Sequence, residues 1–327
     1  MTSKMTNIAV LTSGGDSPGM NAAIRAVVRA CVYNNIKCTG IYRGFDGLID
    51  GDFKHFEVRS VSKIIALGGT VLKSARSKGF MTKEGRQKAF DNLQKEGVDA
   101  LITIGGNGTF TGAHIFQEEF GMPVMGIPGT IDNDLYGSDY TIGYDTACNT
   151  VIEAVDKIRD TANSHNRLFF VEVMGRDAGF IALSAGIATG AIAIMLPEKE
   201  MSIDELVSIL DRGAESAKTS SIVIVAEGVA NGGAYEVAKK VNEKYSHFET
   251  KVTVLGHIQR GGSPSHLDRV LASRMGVAAV EGLLQGKNDV MIGIVNDMET
   301  FTPLKETFTR KAVPNEAEIR IAKILSI

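Results

Sequence analysis

The chain has 327 residues, of which 44% are hydrophobic and 22% are charged, and its net charge is -3. This composition is typical of a soluble globular protein with enough chain for two domains. So small a net charge provides no general attraction to nucleic acid or to an anionic membrane, and neither is expected as a partner. Any site for a polyanion must therefore be a local cluster of residues.

The cysteines and the start of the chain favour a cytoplasmic location. Cys31, Cys38 and Cys148 are odd in number and lack CxxC spacing, which favours a reducing compartment over a disulfide scaffold or a zinc site. The first residues lead directly into a short strand, so no signal peptide is expected. Residues 178–197 carry no charge, but glycines interrupt them, and we predict a helix, a turn at Thr189-Gly190 and a strand at 191–196 instead of a membrane span.

The first half of the chain contains two strands that lead into glycine-rich turns. A strand at residues 8–11 is followed by TSGGD and then by a helix that runs to about Tyr33. A second strand, at 99–104, leads into GGNGT and a helix that begins near Phe110. Glycines between a strand and a helix N-terminus let backbone amides approach an anion, so each turn is a candidate phosphate site. Glycine used only for a tight turn is the alternative.

Between these two turns we predict a strand at 37–41, a loop at 42–47, a short helix around 61–67 and a helix at 84–96. The loop KSARSK at residues 73–78 is basic and suits phosphate oxygens. A solvated run of charges is the simpler interpretation of that loop when it is considered alone.

The segment PGTIDND, at residues 128–134, follows an apolar run that we predict as a buried strand of a parallel sheet. Residues two apart in extended backbone point the same way, so Asp132 and Asp134 are expected to face one site just beyond the strand end. Two close carboxylates suit a division of labour in which one holds Mg²⁺ and the other accepts a proton. A polar turn is the alternative.

The second half continues the alternation, with polar residues at the strand ends. After a helix at 145–163, strands at 168–174, 222–226 and 252–255 lead into Gly175-Arg176-Asp177, Glu227 and the loop GHIQRGG. The other predicted elements are helices at 203–217, from Ala234, at 267–284 and at 316–325, and a strand at 290–295. Such repeated units predict an α/β fold with two doubly wound, mostly parallel sheets. Neither a Walker sequence nor GxGxxG with an acidic ribose ligand occurs, which argues against a P-loop protein or a dinucleotide oxidoreductase.

Four long motifs together resemble the bacterial ATP-dependent 6-phosphofructokinase family. They are LTSGGD followed by PGMN, then PGTIDND, MGRD and GHIQRGGSP, and the resemblance covers nearly the whole chain in order. It implies a Rossmann-like fold with the active site in the cleft between the two sheets. It also implies phosphoryl transfer from Mg-ATP to the 1-hydroxyl of fructose 6-phosphate in glycolysis, by a homotetramer whose active sites are shared between subunits. We assign ATP binding to residues 1–143 plus about 259–309, and sugar-phosphate binding to residues 144–258 plus about 310–327.

The resemblance implies a role for each site residue. Asp132 would accept the hydroxyl proton, Asp134 would hold the metal, and Arg76, Arg176 and Gly15 would stabilise the phosphoryl group during transfer. The implied ATP-binding residues are Gly15, Arg76, Ser77, Gly106, Asn107, Gly108 and Thr109. The implied sugar-phosphate residues are Thr130, Ile131, Asp132, Arg167, Met174, Gly175, Arg176, Glu227, Lys251, His257, Ile258, Gln259 and Arg260. Thr130 also belongs to the catalytic motif, and Arg167 and Lys251 would reach the sugar phosphate from a neighbouring subunit. His257 considered alone is an ordinary loop histidine, and only this set assigns it to the sugar.

Four departures from the family pattern bear on function. Asn107 replaces an aspartate that helps to hold Mg-ATP, which keeps an acceptor oxygen but weakens the metal site by a full charge. Gly108 beside it is not a departure: it agrees with the ATP-dependent members of the family, since the pyrophosphate-dependent relatives have aspartate there. Lys251 replaces arginine, so the affinity for the sugar phosphate should fall somewhat. Phe45 stands where tyrosine is common in the ATP-side loop.

The effector site is the fourth departure. Its basic residues Arg25, Arg29, Arg159 and Lys218 remain, whereas charged or polar residues are replaced at Val58, Lys63, Ile192, Ser216 and Ser220. Ile192 stands where a carboxylate would bind the metal of an ADP activator. We therefore expect activation by Mg-ADP to be weak or absent.

Two alternatives stay open from the residues. The turn at 105–109 approaches a motif of NAD kinases and lipid kinases. The replacement at Asn107 would also fit a catalytically impaired paralogue that acts as a regulatory or binding subunit.

Overall fold

The computed structural model describes residues 5–163, 167–215, 221–244 and 249–326. The strands are β1 (Asn7–Thr12), β2 (Lys37–Ile41), β3 (Phe53–Phe56), β4 (Ala100–Gly105), β5 (Val124–Pro128), β6 (Arg167–Val173), β7 (Ala193–Met195), β8 (Ser221–Ala226), β9 (Glu249–Val254), β10 (Val290–Val295) and β11 (Met298–Pro303). The helices are α1 (Met20–Tyr33), α2 (Gly44–Asp50), α3 (Lys83–Lys95), α4 (Asn107–Phe120), α5 (Tyr144–Asn163), α6 (Phe180–Ala188), α7 (Ile203–Glu215), α8 (Gly233–Asn242), α9 (His266–Leu284), α10 (Leu304–Thr309) and α11 (Glu316–Leu325). Short 3-10 helices lie at Val58–Val61, Gly79–Met81 and Gly256–Arg260.

The chain divides into two compact units. Unit 1 comprises Met1–Thr130, Leu135–Thr146 and Arg260–Ala312, and unit 2 comprises Ile131–Asp134, Ala147–Gln259 and Val313–Ile327. The assignment of ATP binding and sugar-phosphate binding to separate domains stays a prediction.

Unit 1 contains a seven-stranded sheet in the order β11-β10-β5-β4-β1-β2-β3. The central strands β1, β4 and β5 are buried along their whole length and pair in parallel, as their continuous apolar runs predict. Only the two edge strands run antiparallel to their neighbours. On one face α1 packs closely on α9. A β-carbon added to Gly276 of α9 would lie only 2.6 Å from Cβ of Ala26 on α1, so glycine is what allows the close approach.

The order of the strands in unit 1 determines where a ligand can bind. The chain moves from β1 to β2 on one side and then returns to β4 on the other side of β1. The loops after β1 and β4 therefore leave neighbouring strand ends in opposite directions. A crevice at such a switch point is where open α/β sheets bind ligands.

Unit 2 contains a four-stranded parallel sheet in the order β7-β8-β6-β9. Strand β8 is buried throughout and β6 nearly so, whereas β9 forms a partly exposed edge. The prediction of two mostly parallel α/β sheets is confirmed. Within the described ranges no helix is long and apolar enough to cross a membrane, and the uncharged segment forms the nine-residue α6, a turn with Gly190 at φ 61°, and β7.

Some predicted elements were wrong. Residues 42–47 were predicted as a loop, but α2 begins at Gly44 after Arg43, which adopts the left-handed conformation at φ 57°. The helix predicted around 61–67 is replaced by the 3-10 helix Val58–Val61 and a series of turns. The edge strands β3 and β11 and the short helix α10 were not predicted.

Candidate active site

In unit 1 the two glycine-rich turns predicted as phosphate sites lie against each other. Ser13 donates its amide to the Ile104 carbonyl at 3.0 Å, and the Thr109 hydroxyl donates to the Ser13 carbonyl at 3.1 Å. A β-carbon on Gly105 would lie 2.6 Å from that same carbonyl oxygen. Glycine is therefore required at 105 by the close approach of the two loops.

Gly15 and Arg260, both predicted site residues, are brought together at the end of β1. A β-carbon on Gly15 would lie only 2.5 Å from Nη1 of Arg260. The same nitrogen donates to the carbonyl oxygen of Asp16 at 3.2 Å, which fixes the guanidinium over the turn. The turn thus combines backbone amides with one fixed positive charge, which suits a phosphate.

Helix α4 begins at Asn107, three residues before the predicted start. Asn107, Gly108 and Thr109 therefore form its first turn, whose amides have no acceptor inside the helix and make up the positive end of the helix dipole. The space beside Gly108 is open, since no atom lies within 4 Å of an added β-carbon. Open space therefore adjoins the first turn of α4 at Gly108.

The basic loop at residues 73–78 is held by contacts with the buried Phe80, whereas Arg76 is exposed. The Ser77 hydroxyl accepts a hydrogen bond from the Phe80 amide at 3.1 Å, and the Phe80 ring stacks on Phe45 with 4.0 Å between centroids. Arg86 donates to the Phe80 carbonyl at 2.9 Å. Phe45 is itself buried in this stack, so its role in the structure is packing.

In unit 2, Asp132 and Asp134 are close together, but not for the reason predicted from sequence. Asn133 adopts a left-handed conformation at φ 54° and the chain bends at 131–132, so the argument from extended backbone was wrong. Asp132 is only 4% exposed, and Ile131 is fully buried. Burial and the charge of Asp132 together raise the pKa of the Asp134 carboxyl to about 6.

The Asp132–Asp134 pair fits a divalent cation. Burial is the main cause of the raised Asp134 pKa, the charge of Asp132 adds to it, and Arg176 is the nearby cation that opposes it. Mg²⁺ prefers oxygen ligands and is usually held by one or two carboxylates together with substrate phosphates. In the described part of the chain no group of three or more acidic, histidine or cysteine side chains is placed to hold a metal ion by itself.

Arg176 is held at the end of β6 by Glu227 at the end of β8. Oε1 of Glu227 accepts the amides of Arg176 at 2.7 Å and Gly175 at 3.2 Å. Arg176 has φ 54°, and a β-carbon on Gly228 would lie 2.1 Å from its carbonyl oxygen. A non-glycine residue in this conformation costs energy and persists where the surroundings enforce it, as is common at functional sites.

The loop after β9 contributes side chains of two kinds. Gln259 is fully buried, where it accepts the Met174 amide at 3.2 Å and donates to the Gly256 carbonyl at 3.0 Å. His257 and Ile258 are exposed. Gln259 therefore connects this loop to the end of β6. The assignment of His257 and Ile258 to the sugar phosphate stays a prediction.

Arg167 and Lys251 share one carboxylate. Glu249 accepts Arg167 Nε at 2.9 Å through Oε2 and contacts Lys251 Nζ through Oε1. The hydrogen bonds from these two cations lower the pKa of Glu249 to about 2. The two basic residues predicted to reach a sugar phosphate are thus brought together, as a pair, at the start of β6 and β9.

Asp268, in the first turn of α9, was missed from sequence. Its carboxylate accepts the amides of Gly143 at 2.7 Å and Thr146 at 2.8 Å, and it is 1% exposed. Its own amide donates to the hydroxyl of the helix-capping Ser265 at 3.2 Å. The S-x-x-D pattern at 265–268 is a helix-start signal that could have identified it. Asp268 fixes the segment that leads from the PGTIDND loop into α5.

The predicted effector residues fall in both units. Arg25 and Arg29 lie one turn apart on α1, and burial together with the charge of Arg29 lowers the pKa of Arg25. Arg159 on α5 donates to the carbonyl of Thr189, and Ile192 is buried at 4% exposure. Lys218, Ser216 and Ser220 lie outside the described residues.

Comparison with known proteins gives one consistent result. A profile of the phosphofructokinase family matches residues 7–283. The ATP-dependent 6-phosphofructokinase 2 of Bacteroides thetaiotaomicron is 54% identical over 98% of both chains. ATP-dependent 6-phosphofructokinase 1 of Thermus thermophilus is 53% identical over 99% of this chain and all of its own length.

Solved structures agree. Phosphofructokinase from Saccharomyces cerevisiae superposes with a TM-score of 0.89 at 38% identity over 93% of this chain, which spans about 45% of the yeast chain. A pyrophosphate-dependent phosphofructokinase from Marinobacter aquaeolei has a TM-score of 0.84 at 21% identity over 98% of this chain and 91% of its own. At that identity the second similarity concerns the fold alone.

Proposed function

The chain belongs to the phosphofructokinase family, and we propose that it transfers the γ-phosphoryl group of ATP to the 1-hydroxyl of fructose 6-phosphate, giving fructose 1,6-bisphosphate and ADP. The observation that carries this is similarity, from end to end of both chains, to curated enzymes named as ATP-dependent 6-phosphofructokinases. The reaction belongs to glycolysis. The open space beside Gly108 supports ATP over pyrophosphate, because it leaves room for a nucleotide.

The ATP side of the reaction would be served by unit 1. We assign the triphosphate to the amides of Gly15 and of the first turn of α4, with Arg76 and Ser77 in the basic loop as further contacts. Backbone amides fixed before the substrate arrives stabilise developing charge without reorganisation. Gly106 and Thr109 serve this side by shaping the turn, since Thr109 binds the Ser13 carbonyl.

The acceptor side would be served by unit 2. Asp132 is assigned as the base that takes the proton from the sugar hydroxyl, and Arg176 as the cation that neutralises the transferring phosphoryl group. Because Oε1 of Glu227 accepts two backbone amides, its Oε2 is the oxygen left for a sugar hydroxyl. We assign the 6-phosphate to the basic residues Arg167, Lys251 and His257 of unit 2, with Met174 and Gly175 beside the sugar, and Arg260, the first residue of the last segment of unit 1, is assigned to it as well.

Mg²⁺ would be held by Asp134, with Asn107 as a weaker neutral ligand. Bound there with ATP, it would neutralise phosphate charge during transfer. Its arrival would also oppose the rise in the Asp134 pKa that burial causes, since a nearby cation favours the ionised carboxylate.

Oligomer, compartment and regulation belong to the same proposal. We infer a homotetramer in which Arg167 and Lys251 act on a neighbouring subunit's sugar phosphate. Three buried cysteines, none of them in a disulfide, agree with a reducing cytoplasm. Because the buried Ile192 offers no carboxylate to a nucleotide-bound metal, activation by Mg-ADP should be weak. Strong ADP activation that is abolished by Arg159→Ala would contradict that part.

The two alternatives are not favoured. A kinase of the NAD-kinase or lipid-kinase type would not need the motifs at 174–177 and 256–264, and the curated relatives are phosphofructokinases. A catalytically impaired binding subunit would not need the assigned catalytic residues Asp132, Arg76 and Arg176, all of which this chain has.

The test is a panel of donors and acceptors. Purified protein is supplied with ATP or pyrophosphate as donor, and with fructose 6-phosphate or NAD as acceptor, with and without Mg²⁺. We expect product only with ATP, Mg²⁺ and fructose 6-phosphate. Phosphorylation of NAD, or no product at all, would contradict the proposed function.

A further inference from the structure

The segment of residues 141–146 leads from the PGTIDND loop into α5, and its first residues are bonded to the backbone of that loop. The Thr141 hydroxyl donates to the Thr130 carbonyl at 2.6 Å, and the Ile142 amide donates to the Pro128 carbonyl at 2.9 Å. Thr130 is the last residue of unit 1 before the two aspartates of the motif. The 141–146 segment therefore holds the backbone from which those aspartates extend.

The same segment packs against the residues that follow the glycine-rich turn after β1. A β-carbon added to Gly19 would lie 2.6 Å from Cγ2 of Ile142, and one added to Gly143 would lie 2.6 Å from Cβ of Ser17. Neither distance leaves room for a side chain, so glycine at both positions is what allows this contact. Within unit 1, one segment therefore contacts both the start of the PGTIDND motif and the chain that enters α1.

Asp268 on α9 holds this segment from its other end. Its Oδ1 accepts the Gly143 amide at 2.7 Å, and its Oδ2 accepts the Thr146 amide at 2.8 Å and the Thr146 hydroxyl. The Thr146 hydroxyl also accepts the Ser265 amide at 2.9 Å. Burial raises the pKa of the Asp268 carboxyl, and the hydrogen bonds from the segment oppose that rise. A carboxylate that is 1% exposed is thus bonded to two amides and one hydroxyl of a single segment.

We infer that Asp268 is a positioning residue for phosphoryl transfer. It need not touch a reacting group, because it holds the 141–146 segment and the segment holds the backbone at Thr130. Groups that act on a substrate must be kept close to their productive geometry, and a displacement of about 1 Å can lower a rate by about 10²-fold. Loss of the Asp268 contacts should therefore slow the chemical step more than it weakens substrate binding. This kinetic consequence rests on the proposed function.

Asp268→Asn breaks the contacts of the carboxylate with the least change in shape. Asparagine keeps one acceptor oxygen and has an NH₂ group in place of the other. That group would face either the Gly143 amide or the Thr146 amide, and both of these are donors. At least one bond to the segment is therefore lost, whichever way the side chain is oriented.

Ser265→Ala is the matched control at the same helix start. The Ser265 hydroxyl accepts the Asp268 amide at 3.2 Å and caps α9, so its removal should lower the melting temperature while the bonds from Gly143 and Thr146 to the carboxylate stay. We expect Asp268→Asn to lower kcat by about 10- to 100-fold and to change the KM values for ATP and fructose 6-phosphate by less than about threefold. Ser265→Ala should keep kcat. A wild-type kcat in Asp268→Asn, or an equal loss of kcat in Ser265→Ala, would overturn the inference.

Thr141→Val tests the path from the segment to Thr130. It removes the hydroxyl that is bonded to the Thr130 carbonyl and leaves Asp268 unchanged, so it also serves if Asp268→Asn fails to fold. We expect a lower kcat, and in the double variant no loss beyond that of the more impaired single variant, because both changes break one path. A wild-type kcat in Thr141→Val, or losses that multiply in the double variant, would contradict the path.

Hydrogen exchange followed by mass spectrometry tests the same path in a protein of any activity. In Asp268→Asn we expect exchange to be faster by about tenfold or more in the 141–146 segment, and faster also at Gly129, whose amide donates to the Gly105 carbonyl at 3.0 Å. Ser265→Ala should speed exchange only at the start of α9. Faster exchange confined to the 141–146 segment would overturn the inference. A wild-type protein that forms no fructose 1,6-bisphosphate would contradict the proposed function instead, and the exchange result would still decide whether Asp268 holds the backbone before the aspartates.

Discussion

The turns that follow β1 and β4 in unit 1 are rich in glycine, whereas the strand ends of unit 2 carry charged side chains. At Gly15 and Gly105 an added β-carbon would clash with neighbouring atoms, so the turns depend on close approach of the backbone itself. At Asp132, Asp134 and Arg176 the charges are what matter, and the backbone is strained or buried to place them. Unit 1 should therefore lose function when atoms are added, and unit 2 when charges are removed.

The sharpest test of the prediction that unit 2 loses function when charges are removed is Arg176→Gly. Glycine relieves the left-handed conformation, so the free energy of unfolding should rise by about 1 kcal/mol. Loss of the guanidinium should lower turnover by about 10³-fold, because a charge that stabilises the transferring group is removed. Thermal melting and steady-state kinetics give the two values. Arg176→Lys, which keeps the charge and the strain, is the control, and a less stable or fully active glycine variant would contradict the account.

The matching test of unit 1 is Gly15→Ala. The added carbon meets the flexible end of Arg260, which can move aside, so stability should stay nearly unchanged. Displacing that guanidinium and narrowing the turn should lower kcat/KM by about 10²-fold.

Gly105→Ala is the comparison for that variant, because its clash involves the Ser13 carbonyl in the backbone as well as the Thr109 side chain. It should destabilise the fold by about 1–3 kcal/mol. If the two variants lose stability equally, the distinction between the two glycines is wrong.

Asp134→Asn tests charge crowding through pH. Because the folded pKa of about 6 lies above the ordinary value of 3.8, the folded state binds the extra proton in between, and stability falls as pH rises through that range. The variant removes this penalty, so at neutral pH and without Mg²⁺ it should be more stable by about 3 kcal/mol. Denaturant titrations across the range measure it. A wild-type stability that does not change between these pH values would contradict the assignment.

The smallest effect is expected for Lys251→Arg. Arginine would reach the same carboxylate of Glu249 and offer a bidentate fork to a phosphate, so KM for fructose 6-phosphate should fall a few-fold while kcat is kept. Lys251→Gln should raise KM instead. An increase in KM for the arginine variant would show that the lysine is preferred here.

Much of the fold could be predicted from sequence because the apolar patterns are long and regular. Strands β2 and β10 and helix α11 have the predicted bounds. Helix α2 was missed because its two glycines lower helix propensity, and it is held instead by burial of Phe45 and Leu48. Local pattern cannot report such tertiary support.

The candidate site shows the same limit. Its residues could be named from motifs, yet the reason given for the closeness of Asp132 and Asp134 was wrong, because the turn at Asn133 is not visible in the pattern. The contacts of Asp268 with Gly143 and Thr146 join positions more than a hundred residues apart, and only the fold brings them together.

The most direct test of the central claim is the rate of the chemical step in Asp132→Asn beside wild type, measured by rapid quench at saturating Mg-ATP and fructose 6-phosphate. If Asp132 takes the hydroxyl proton, the rate constant should fall by about 10²–10⁴-fold, because asparagine keeps the shape but cannot accept the proton. Binding of both substrates should change little. A variant that forms fructose 1,6-bisphosphate at the wild-type rate would contradict the account.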